Sequence, residues 1–499
     1  MESANSNFTE FIKDFEETLY QIFHEKNDIN QLSLERGLPP EVLSGIMDKV
    51  PLSVAIPAEY GGRGSIVKEC LGVLAAASYE SLPLSLTFGI NIALFLEPVS
   101  KYANEEVKKE IFDRFLHHQN MGGLMITEPD YGSDALNMKT SNIEVESGYK
   151  LKGTKHWQGL TGMANYWIIA SRKENENGEL ARDIDFFIAD ESQAKQKVVV
   201  EELFDNPGLY MIPYGLNKID LEVPKNFKLN PETTGIKMML DILHRSRLQF
   251  PGMGMGFIKR MLDEAIHQCT NRIVGAANLL AMDQVQYQLS RIQNAYTICS
   301  AMCAKSSETS GIEFNLAMAG LEANSMKAVV TDLMQESAQL LVQLSGAKGF
   351  RTSHIGGRGI MDSRPFQIFE GSNEMLYAQI ADMITRMMKK KKQLNLFDFL
   401  KEFELTSSAS EFFKQNLNFT ISSSLSQRKL VDLGKIVARI VCVGYVLDLQ
   451  AKGYRKDLVD NSIASVQQEV AALFASFHFD NTTTVVEDYA ENSSWLSFA

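Results

Sequence analysis

Glu370 is the side chain in this sequence with the clearest potential for chemistry. It lies in an apolar stretch with Ile368 and Phe369 on one side and Gly371 on the other, just before a predicted helix. Removal of water from a carboxylate raises its pKa and makes it a stronger base. An acid at a helix N-terminus can instead simply complement the helix dipole, but Glu374 suits that role better. The position of Glu370 therefore indicates a general base.

A polar loop at residues 126–134 offers groups that could hold a ligand. Thr127 and Ser133 supply hydroxyls and exposed N–H groups, and Gly132 is predicted to allow a sharp turn. Such a loop can bind a ring edge or a phosphate oxygen. In isolation, an ordinary turn between two domains is the favoured explanation of this loop.

Two further segments place aromatic or small residues where a cofactor could lie. Trp157, in the run Gly153–Gly159, could cover an aromatic ring, although a tryptophan in a β domain is more often part of the core. Gln343 and Gly346 end a predicted helix together with Gly349, where a backbone could approach a ligand closely. A simple helix C-cap is the alternative.

The periodicity of apolar residues predicts an α+β fold that is mainly α. Helical spacing dominates residues 1–120, and short β-type runs separated by turn signals fill residues 121–235. Helical spacing returns in residues 236–393, where Leu333, Leu340, Leu341 and Leu344 mark one long amphipathic helix. Residues 394–499 are predicted to form an additional helical module, because they carry an amphipathic stretch at 430–449 but no acid–base or cofactor pattern.

Composition excludes several functional classes. A net charge of −13 argues against a general nucleic-acid-binding protein, because phosphate contacts need a basic face. The basic run at 386–392 is explained by a solvated helix end. The five cysteines are scattered and lack metal-site spacing, so they are predicted to be buried thiols in a reducing compartment, with no metal. We also expect no transmembrane segment and a cytoplasmic location, since no targeting or membrane-length apolar segment is seen.

Taken together, the order and spacing of these segments resemble the acyl-CoA dehydrogenase family over residues 10–390. The matching segments are the loops at 56–62, 102–106 and 126–134, Trp157, the Gln-x-x-Gly at 343–346 and the Phe-Glu-Gly-Ser at 369–372. The resemblance implies an N-terminal helical domain, a middle β domain and a C-terminal four-helix bundle, with FAD bound between them.

The resemblance also implies roles for individual residues. Glu370 would be the catalytic base, and Ser133, Arg247 and Gly371 would contact the acyl thioester substrate. Arg272, Gln343 and Gly346 would reach the FAD of a neighbouring subunit, which implies a homodimer or homotetramer. The complete set of expected FAD contacts is Leu124, Ile126, Thr127, Gly132, Ser133, Trp157, Gln158, Gly159, Arg272, Gln343, Gly346, Ser372 and Glu374.

The implied reaction is α,β-dehydrogenation of a fatty acyl thioester to the trans-2-enoyl product. Glu370 would take the α proton while the β hydrogen leaves as hydride to flavin N5, and the electrons would pass to an electron-transfer flavoprotein near Trp157. An acyl carrier protein could replace CoA, because His244 and Asp382 depart from family residues at the CoA nucleotide end. The alternatives are an oxidase or monooxygenase on the same scaffold, and a non-catalytic or nucleic-acid-associated relative.

Three departures from the family pattern concern the expected site. The family usually has Trp-Ile-Thr where this chain has Trp157-Gln158-Gly159, so the threonine near flavin N5 is absent. The usual Arg-x-x-Phe-Gly is one residue short at Arg272. The stretch 244–247, where some branches carry the base, contains no carboxylate, which leaves Glu370 as the candidate.

Overall fold

The N-terminal part of the chain is a set of helices around a continuous apolar core. The computed structural model describes residues 7–421, 424–480 and 483–499. The stretch Leu82–Tyr102 is long and apolar enough to cross a membrane, but 94% of its apolar window is buried inside the protein. The helices of this part are α1 (Phe8–Tyr20), α2 (Ile29–Leu32), α3 (Pro40–Met47), α4 (Val67–Glu80), α5 (Leu82–Asn91), α6 (Glu97–Tyr102) and α7 (Glu105–His117).

A seven-stranded mixed sheet follows the helices. Its strands are β1 (Gly122–Met125), β2 (Ser141–Val145), β3 (Gly148–Gly159), β4 (Tyr166–Lys173), β5 (Asp185–Asp190), β6 (Val199–Leu203) and β7 (Tyr214–Pro224). The order is β1-β4-β2-β3-β7-β6, with β5 paired to β4. β1 and β2 run parallel to β4, and the other pairs are antiparallel. Buried and more exposed residues alternate along β7, as expected for a sheet that packs one face against the core.

Long helices return after the sheet and form a bundle. They are α8 (Gly235–Asn271), α9 (Asp283–Thr309), α10 (Gly320–Ser345), α11 (Ile355–Ser363) and α12 (Asn373–Lys391), with a small hairpin of β8 (Ile273–Val274) and β9 (Ala277–Asn278) between α8 and α9. α8 packs against α9, α10 and α4, so this central helix joins the bundle to the N-terminal helices.

The last part of the chain packs directly on the bundle. Its helices are α13 (Leu396–Glu402), α14 (Lys414–Leu417), α15 (Gln427–Ala451) and α16 (Lys456–His478). α15 lies against α9, α10 and α12, and α16 covers α15 and α9. The helices α12 and α15 are so close that a Cβ at Gly434 would lie 1.9 Å from the carbonyl oxygen of Tyr377. The amphipathic stretch expected at 430–449 therefore packs against the bundle of its own chain.

The structure confirms the predicted fold class, with helical, β and helical parts in the expected order. The five cysteines are free, as expected, but Cys303 is half-buried rather than fully buried. The basic run ends α12, with Lys389, Lys390 and Lys391 in the last turn and Lys392 at the C-cap. Among the described residues, no group of His, Cys, Asp or Glu could hold a metal ion.

Glu97 is a buried carboxyl at the contact between α6 and α8, and it makes stability depend on pH. Its two oxygens accept hydrogen bonds from the Nε2 of Gln249 at 2.8 and 2.9 Å. Burial raises the pKa of Glu97 to about 7, although Arg245 and Gln249 favour the charged form. Because the native pKa exceeds the ordinary value of 4.5, native Glu97 retains a proton that the unfolded chain releases.

The variant Glu97→Gln should therefore gain stability over the wild type as the pH rises. The stabilising contribution of Glu97 is fully present below pH 4.5 and is lost as the pH rises to about 7. Above that pH the buried charge costs on the order of 3 kcal/mol, because one pKa unit corresponds to about 1.4 kcal/mol. Urea unfolding of both proteins at pH 5 and pH 8 measures this difference. An equal difference at both pH values would contradict the assignment.

Candidate active site

Glu370 lies in a tight loop whose backbone conformation is unusual. Its φ is +52° and that of Gly371 is +92°, so two successive residues adopt left-handed conformations between the turn at 364–367 and α12. A non-glycine residue in this region costs free energy and persists only where its surroundings hold it. Ser246 of α8 donates a hydrogen bond to Oε1 of Glu370 at 2.8 Å. Oε2 is buried and has no hydrogen-bond partner in the described part of the chain.

Burial raises the pKa of Glu370, and Arg247, Ser246 and Lys327 oppose that shift. Phe369, the preceding residue, packs its ring against those of Phe250 and Phe366, with centroids 6.1 and 4.9 Å away. The prediction that Ile368 also removes water from Glu370 is wrong, because Ile368 is 56% exposed. A partly desolvated carboxylate with a free oxygen can accept a proton from a bound molecule.

Two buried cations hold the carbonyl groups of this loop. Arg247 donates from Nε and Nη2 to the carbonyl oxygen of Glu370 at 3.1 and 2.8 Å. Lys327 of α10 donates from Nζ to the carbonyl oxygen of Gly371 at 2.8 Å. Because the C=O and N–H of a trans peptide point in opposite directions, the N–H groups of Gly371 and Ser372 point away from the cations. The two cations thus fix the orientation of the loop that carries Glu370.

Ser246 and Lys327 were not identified from the sequence. Lys327 is fully buried, donates to Oδ1 of Asn373 at 3.0 Å, and has its pKa lowered to about 7 by burial, with Glu370 opposing the shift. A signal was present, because Lys327 interrupts the apolar face of α10 between Met326 and Ala328. A lysine at a buried helical position needs an acceptor, and here the acceptors lie on the loop at 371–373.

The loop at 126–134 is held by a second buried ion pair that the sequence analysis also missed. Glu128 receives Nζ of Lys155 at 3.0 Å and the hydroxyl and N–H of Thr140 at 2.6 and 2.9 Å. Lys155 also donates to the carbonyl oxygen of Ile126 at 2.9 Å. The chain bends at Gly132 as expected, but Gly132 does not have a positive φ and a Cβ there would contact nothing within 4 Å, so the bend does not require a glycine.

Strand β3 brings Trp157 and Gln158 beside this loop. The N–H of His156 and Nε2 of Gln158 donate to the carbonyl oxygen of Thr127 at 2.9 and 3.2 Å. A bulge at Trp157, whose φ is +63°, turns the indole outward, where it is 50% exposed and lies 4.6 Å from the ring of Phe204. Trp157 is therefore not a core residue.

Gly159 lies where the sheet comes close to α5. A Cβ at this position would lie 2.8 Å from Cδ1 of Ile90. The larger threonine usual in the family would therefore require Ile90 to move. Gln158 is buried, and its Oε1 accepts from Asn217 at 3.4 Å, so it ties β3 to β7 as well as to Thr127.

The remaining candidate residues lie in three places. Arg247 and Gly371 join Glu370 in one cluster. Leu124 lies in β1, and Ile126 and Thr127 follow this strand, beside the end of β3 that carries Trp157, Gln158 and Gly159. Ser133 is exposed in the 126–134 loop, Ser372 caps α12 by accepting from Met375 N, and Glu374 is exposed in the first turn. Arg272, Gln343 and Gly346 are exposed at the C-terminal ends of α8 and α10, and Gly346 has a φ of +63°.

The chain matches all three domains of one enzyme family. Residues 11–119 match the acyl-CoA dehydrogenase N-terminal domain, 123–220 the middle domain and 233–385 the C-terminal domain. This protein belongs to the acyl-CoA dehydrogenase family. The sequence resemblance that pointed to this family is confirmed.

Individual relatives are distant. The very long-chain specific mitochondrial acyl-CoA dehydrogenase of Macaca fascicularis is 21% identical to this protein. The match covers 78% of this chain and 60% of the length of that relative. An acyl-CoA dehydrogenase complexed with FAD from Bacillus anthracis has a TM-score of 0.75 at 18% identity, covering 95% of this chain and 88% of that one. The prolyl acyl carrier protein oxidase AnaB has a TM-score of 0.66 at 18% identity, and the match covers 76% of this chain and 98% of that one.

Proposed function

We propose that this protein is an FAD-dependent α,β-dehydrogenase of a fatty acyl thioester, with Glu370 as the base. The observation that carries the proposal is the buried, unpaired Oε2 of Glu370 on a loop fixed by Arg247 and Lys327. An unpaired buried carboxylate oxygen is costly unless a bound molecule supplies a partner. The α C–H of a thioester is a very weak acid, and its removal needs such a desolvated base.

The residues around β1 and β3 fit FAD. Thr127 lies beside the strand that carries the half-exposed Trp157, Ser133 is exposed in the same loop, and the carbonyl groups of Ile126 and Thr127 are held by Lys155 and Gln158. An aromatic cofactor would cover the exposed indole, which otherwise leaves apolar surface in water. FAD, when bound, supplies the acceptor for the β hydrogen and its electron pair.

The protein's own residues would hold and orient the substrate and remove its α proton. Oε2 of Glu370 would accept the α proton, while Ser246 keeps Oε1 in place at 2.8 Å. The backbone N–H of Glu370 would donate to a thioester oxygen on which negative charge develops. Phe369, the residue before Glu370, packs against Phe250 and Phe366. Arg247 acts here on the loop carbonyl, which supports its assignment to the site.

The partners are part of the same proposal. The edge of Trp157 that the cofactor would leave exposed, next to Phe204, offers an apolar contact for an electron-transfer flavoprotein. The exposure of Arg272, Gln343 and Gly346 supports contacts with the FAD of a second subunit in a homodimer or homotetramer. A cytoplasmic location is supported by the free cysteines.

An acyl carrier protein is a second candidate for the group that carries the acyl chain. His244 is buried and bonded to the carbonyl oxygen of Leu316 at 2.8 Å, and Asp382 pairs with Arg386 at 2.8 Å. The end of α12 adds Lys389, Lys390 and Lys391, whose positive charge would attract an acidic carrier protein. CoA remains the first candidate, because Arg247, which matches an arginine of the family, is retained, and the adenine end of CoA would then be held loosely.

Anaerobic bleaching of the flavin tests the function and the carrier together. We expect the purified protein to be yellow and to lose its flavin absorbance when an acyl thioester is added, with one acyl chain presented on CoA and on carrier protein. CoA is supported if acyl-CoA bleaches the flavin faster than the acyl carrier protein does, and if this rate is unchanged when Lys389, Lys390 and Lys391 are replaced by Gln. Faster, salt-sensitive bleaching by the acyl carrier protein supports the alternative. A yellow protein that no acyl thioester bleaches would contradict the dehydrogenase proposal.

A further inference from the structure

We propose that Asp332 of α10 is a positioning residue for the loop that carries Glu370. Its carboxylate accepts hydrogen bonds from both ends of that loop, from Gln367 before it and from Asn373 after it. The proposal rests on the proposed function of Glu370, and it adds a residue that sets the geometry of this base by holding its loop.

One oxygen of Asp332 joins the two ends of the loop. Oδ1 accepts from Nε2 of Gln367 and from Nδ2 of Asn373, each at 2.7 Å. The segment 368–372, which includes Glu370, is thus tied at both flanks to the same atom. Oδ2 accepts from the hydroxyl of Tyr377 in α12 at 2.7 Å, so the carboxylate itself is held in place. An ionised acceptor makes stronger hydrogen bonds than a neutral one, and this favours a carboxylate at the position.

Asn373 carries the effect of Asp332 to the backbone next to Glu370. Its side chain is buried, and its Oδ1 accepts from Nζ of Lys327 at 3.0 Å. The same ammonium group holds the carbonyl oxygen of Gly371 at 2.8 Å. A displacement of Asn373 would therefore move the ammonium group and, with it, the carbonyl group one residue after Glu370.

A line of polar residues on α10 follows the segment from the end of α11 to the start of α12. The line consists of Lys327, Thr331, Asp332 and Gln335, whose spacing places them on one side of the helix. Oε1 of Gln335 accepts from Ser363 at 3.0 Å, and the hydroxyl of Thr331 accepts from Nδ2 of Asn373 at 3.0 Å. The helix therefore holds the segment 363–373 at successive points, and Asp332 is the point that joins the two ends of the loop.

The conformation of the loop makes such support necessary. Glu370 and Gly371 have φ values of +52° and +92°, and a strained backbone persists where the surrounding contacts hold it. Without the carboxylate, Asn373 would keep its contacts with the carbonyl oxygen of Ala328 and with Thr331. Gln367 would keep its bond from Arg364 at 2.7 Å, which belongs to the same turn. We therefore expect the Gln367 end of the loop to loosen more than the Asn373 end.

The test compares variants of the full-length protein loaded with its flavin. Asp332→Ala removes the acceptor of all three donors. Asp332→Asn keeps one oxygen for Gln367 and Asn373, and its amide can donate to the hydroxyl of Tyr377, so the contacts remain without the charge. Glu336→Gln is the matched control, because Glu336 lies one turn further along α10 and pairs with Arg291 of α9.

Asp332→Ala should lower the limiting rate of flavin reduction by roughly 10- to 100-fold, because a misplacement of about 1 Å at a reacting group can cost about 100-fold. The concentration of acyl thioester at half-maximal rate should change little, since Asp332 acts on the loop. Asp332→Asn should recover most of the rate, and Glu336→Gln should retain the wild-type rate. A role in stability alone would lower the melting temperature of Asp332→Ala and leave the limiting rate unchanged.

Amide hydrogen exchange provides a measurement that does not depend on activity. The N–H groups of Ile368 and Phe369 donate to the carbonyl oxygen of Pro365 at 2.8 and 3.0 Å, so their exchange reports on the opening of this turn. Exchange in residues 366–371 should be faster in Asp332→Ala than in the wild type, with a smaller change in residues 373–377. It should be unchanged in Glu336→Gln.

The outcomes separate this inference from the proposed function. Wild-type rate and wild-type exchange in a folded Asp332→Ala variant would overturn the positioning role, and so would equal losses in Asp332→Ala and Glu336→Gln. If Asp332→Ala does not fold, Gln367→Met replaces it, because that change removes one donor of the loop and leaves Asp332 in place. Slower reduction and faster exchange are then expected, and wild-type values would overturn the proposal. Faster exchange in Asp332→Ala, together with normal flavin reduction in Glu370→Gln, would retain the link to the loop and reject Glu370 as the base.

Discussion

Replacement of Glu370 by Gln is expected to reduce the rate of flavin reduction by acyl thioester by about two to four orders of magnitude, which is typical for loss of a positioned base. Gln keeps the size of the side chain and can still interact with the Ser246 hydroxyl, so the fold and the bound flavin should be retained. In the wild type the rate should rise with pH as Glu370 loses its proton, through a pKa above the ordinary 4.5. The Gln variant should lack that dependence.

A matched control is Glu191→Gln in the β domain. Burial also raises the pKa of Glu191, and this carboxylate accepts a hydrogen bond from the N–H of Val198 at 3.0 Å. It lies beyond β5, in a part of the sheet that contributes no expected contact to the site. The control should reduce its flavin at the wild-type rate. Reduction at that same rate by the Glu370→Gln variant would show that another group removes the proton.

The sequence was sufficient to predict the fold class and the place of Glu370, since both depend on local patterns. Helical and strand periods are set by residues three to four or two positions apart, and Phe369, Glu370 and Gly371 are consecutive. The groups that act on Glu370 come from elsewhere in the chain. Ser246 and Lys327 are separated from it by 124 and 43 positions, respectively, and no local pattern reports such contacts.

The same distinction explains the prediction that was wrong. Ile368 was expected to desolvate Glu370 because it is adjacent in sequence, yet the loop turns it outward to 56% exposure. The bend expected at Gly132 is present, but residue type did not indicate that Glu128 and Lys155 hold this loop, through a contact that joins β3 to it. Residue type indicates which conformations are accessible, whereas the tertiary contacts decide which of them is used.

The C-terminal helices were predicted to form an added module. Their removal should greatly lower the stability of the protein. A chain that ends at Gln393 loses α15, which buries Leu433, Ile436, Val437, Ile440 and Val441 with no exposed surface. Burial of one such side chain contributes about 1.5–3 kcal/mol, so five of them approach the entire stability of a typical domain, about 5–15 kcal/mol. The truncated chain would also expose the faces of α9, α10 and α12 that α15 covers.

We therefore expect the chain ending at Gln393 to be insoluble or to lack cooperative unfolding, as measured by soluble yield, circular dichroism and thermal denaturation. The control is a chain ending at Asp480, which keeps α15, α16 and the contacts of Arg428 and Lys429 with residues 479 and 480. It removes a tail whose Val485 and Phe498 are 87% and 78% exposed, so it should fold like the full-length protein. If the Gln393 chain instead folds and binds flavin with wild-type spectra, the C-terminal helices are separable from the bundle, and their packing does not support the active site.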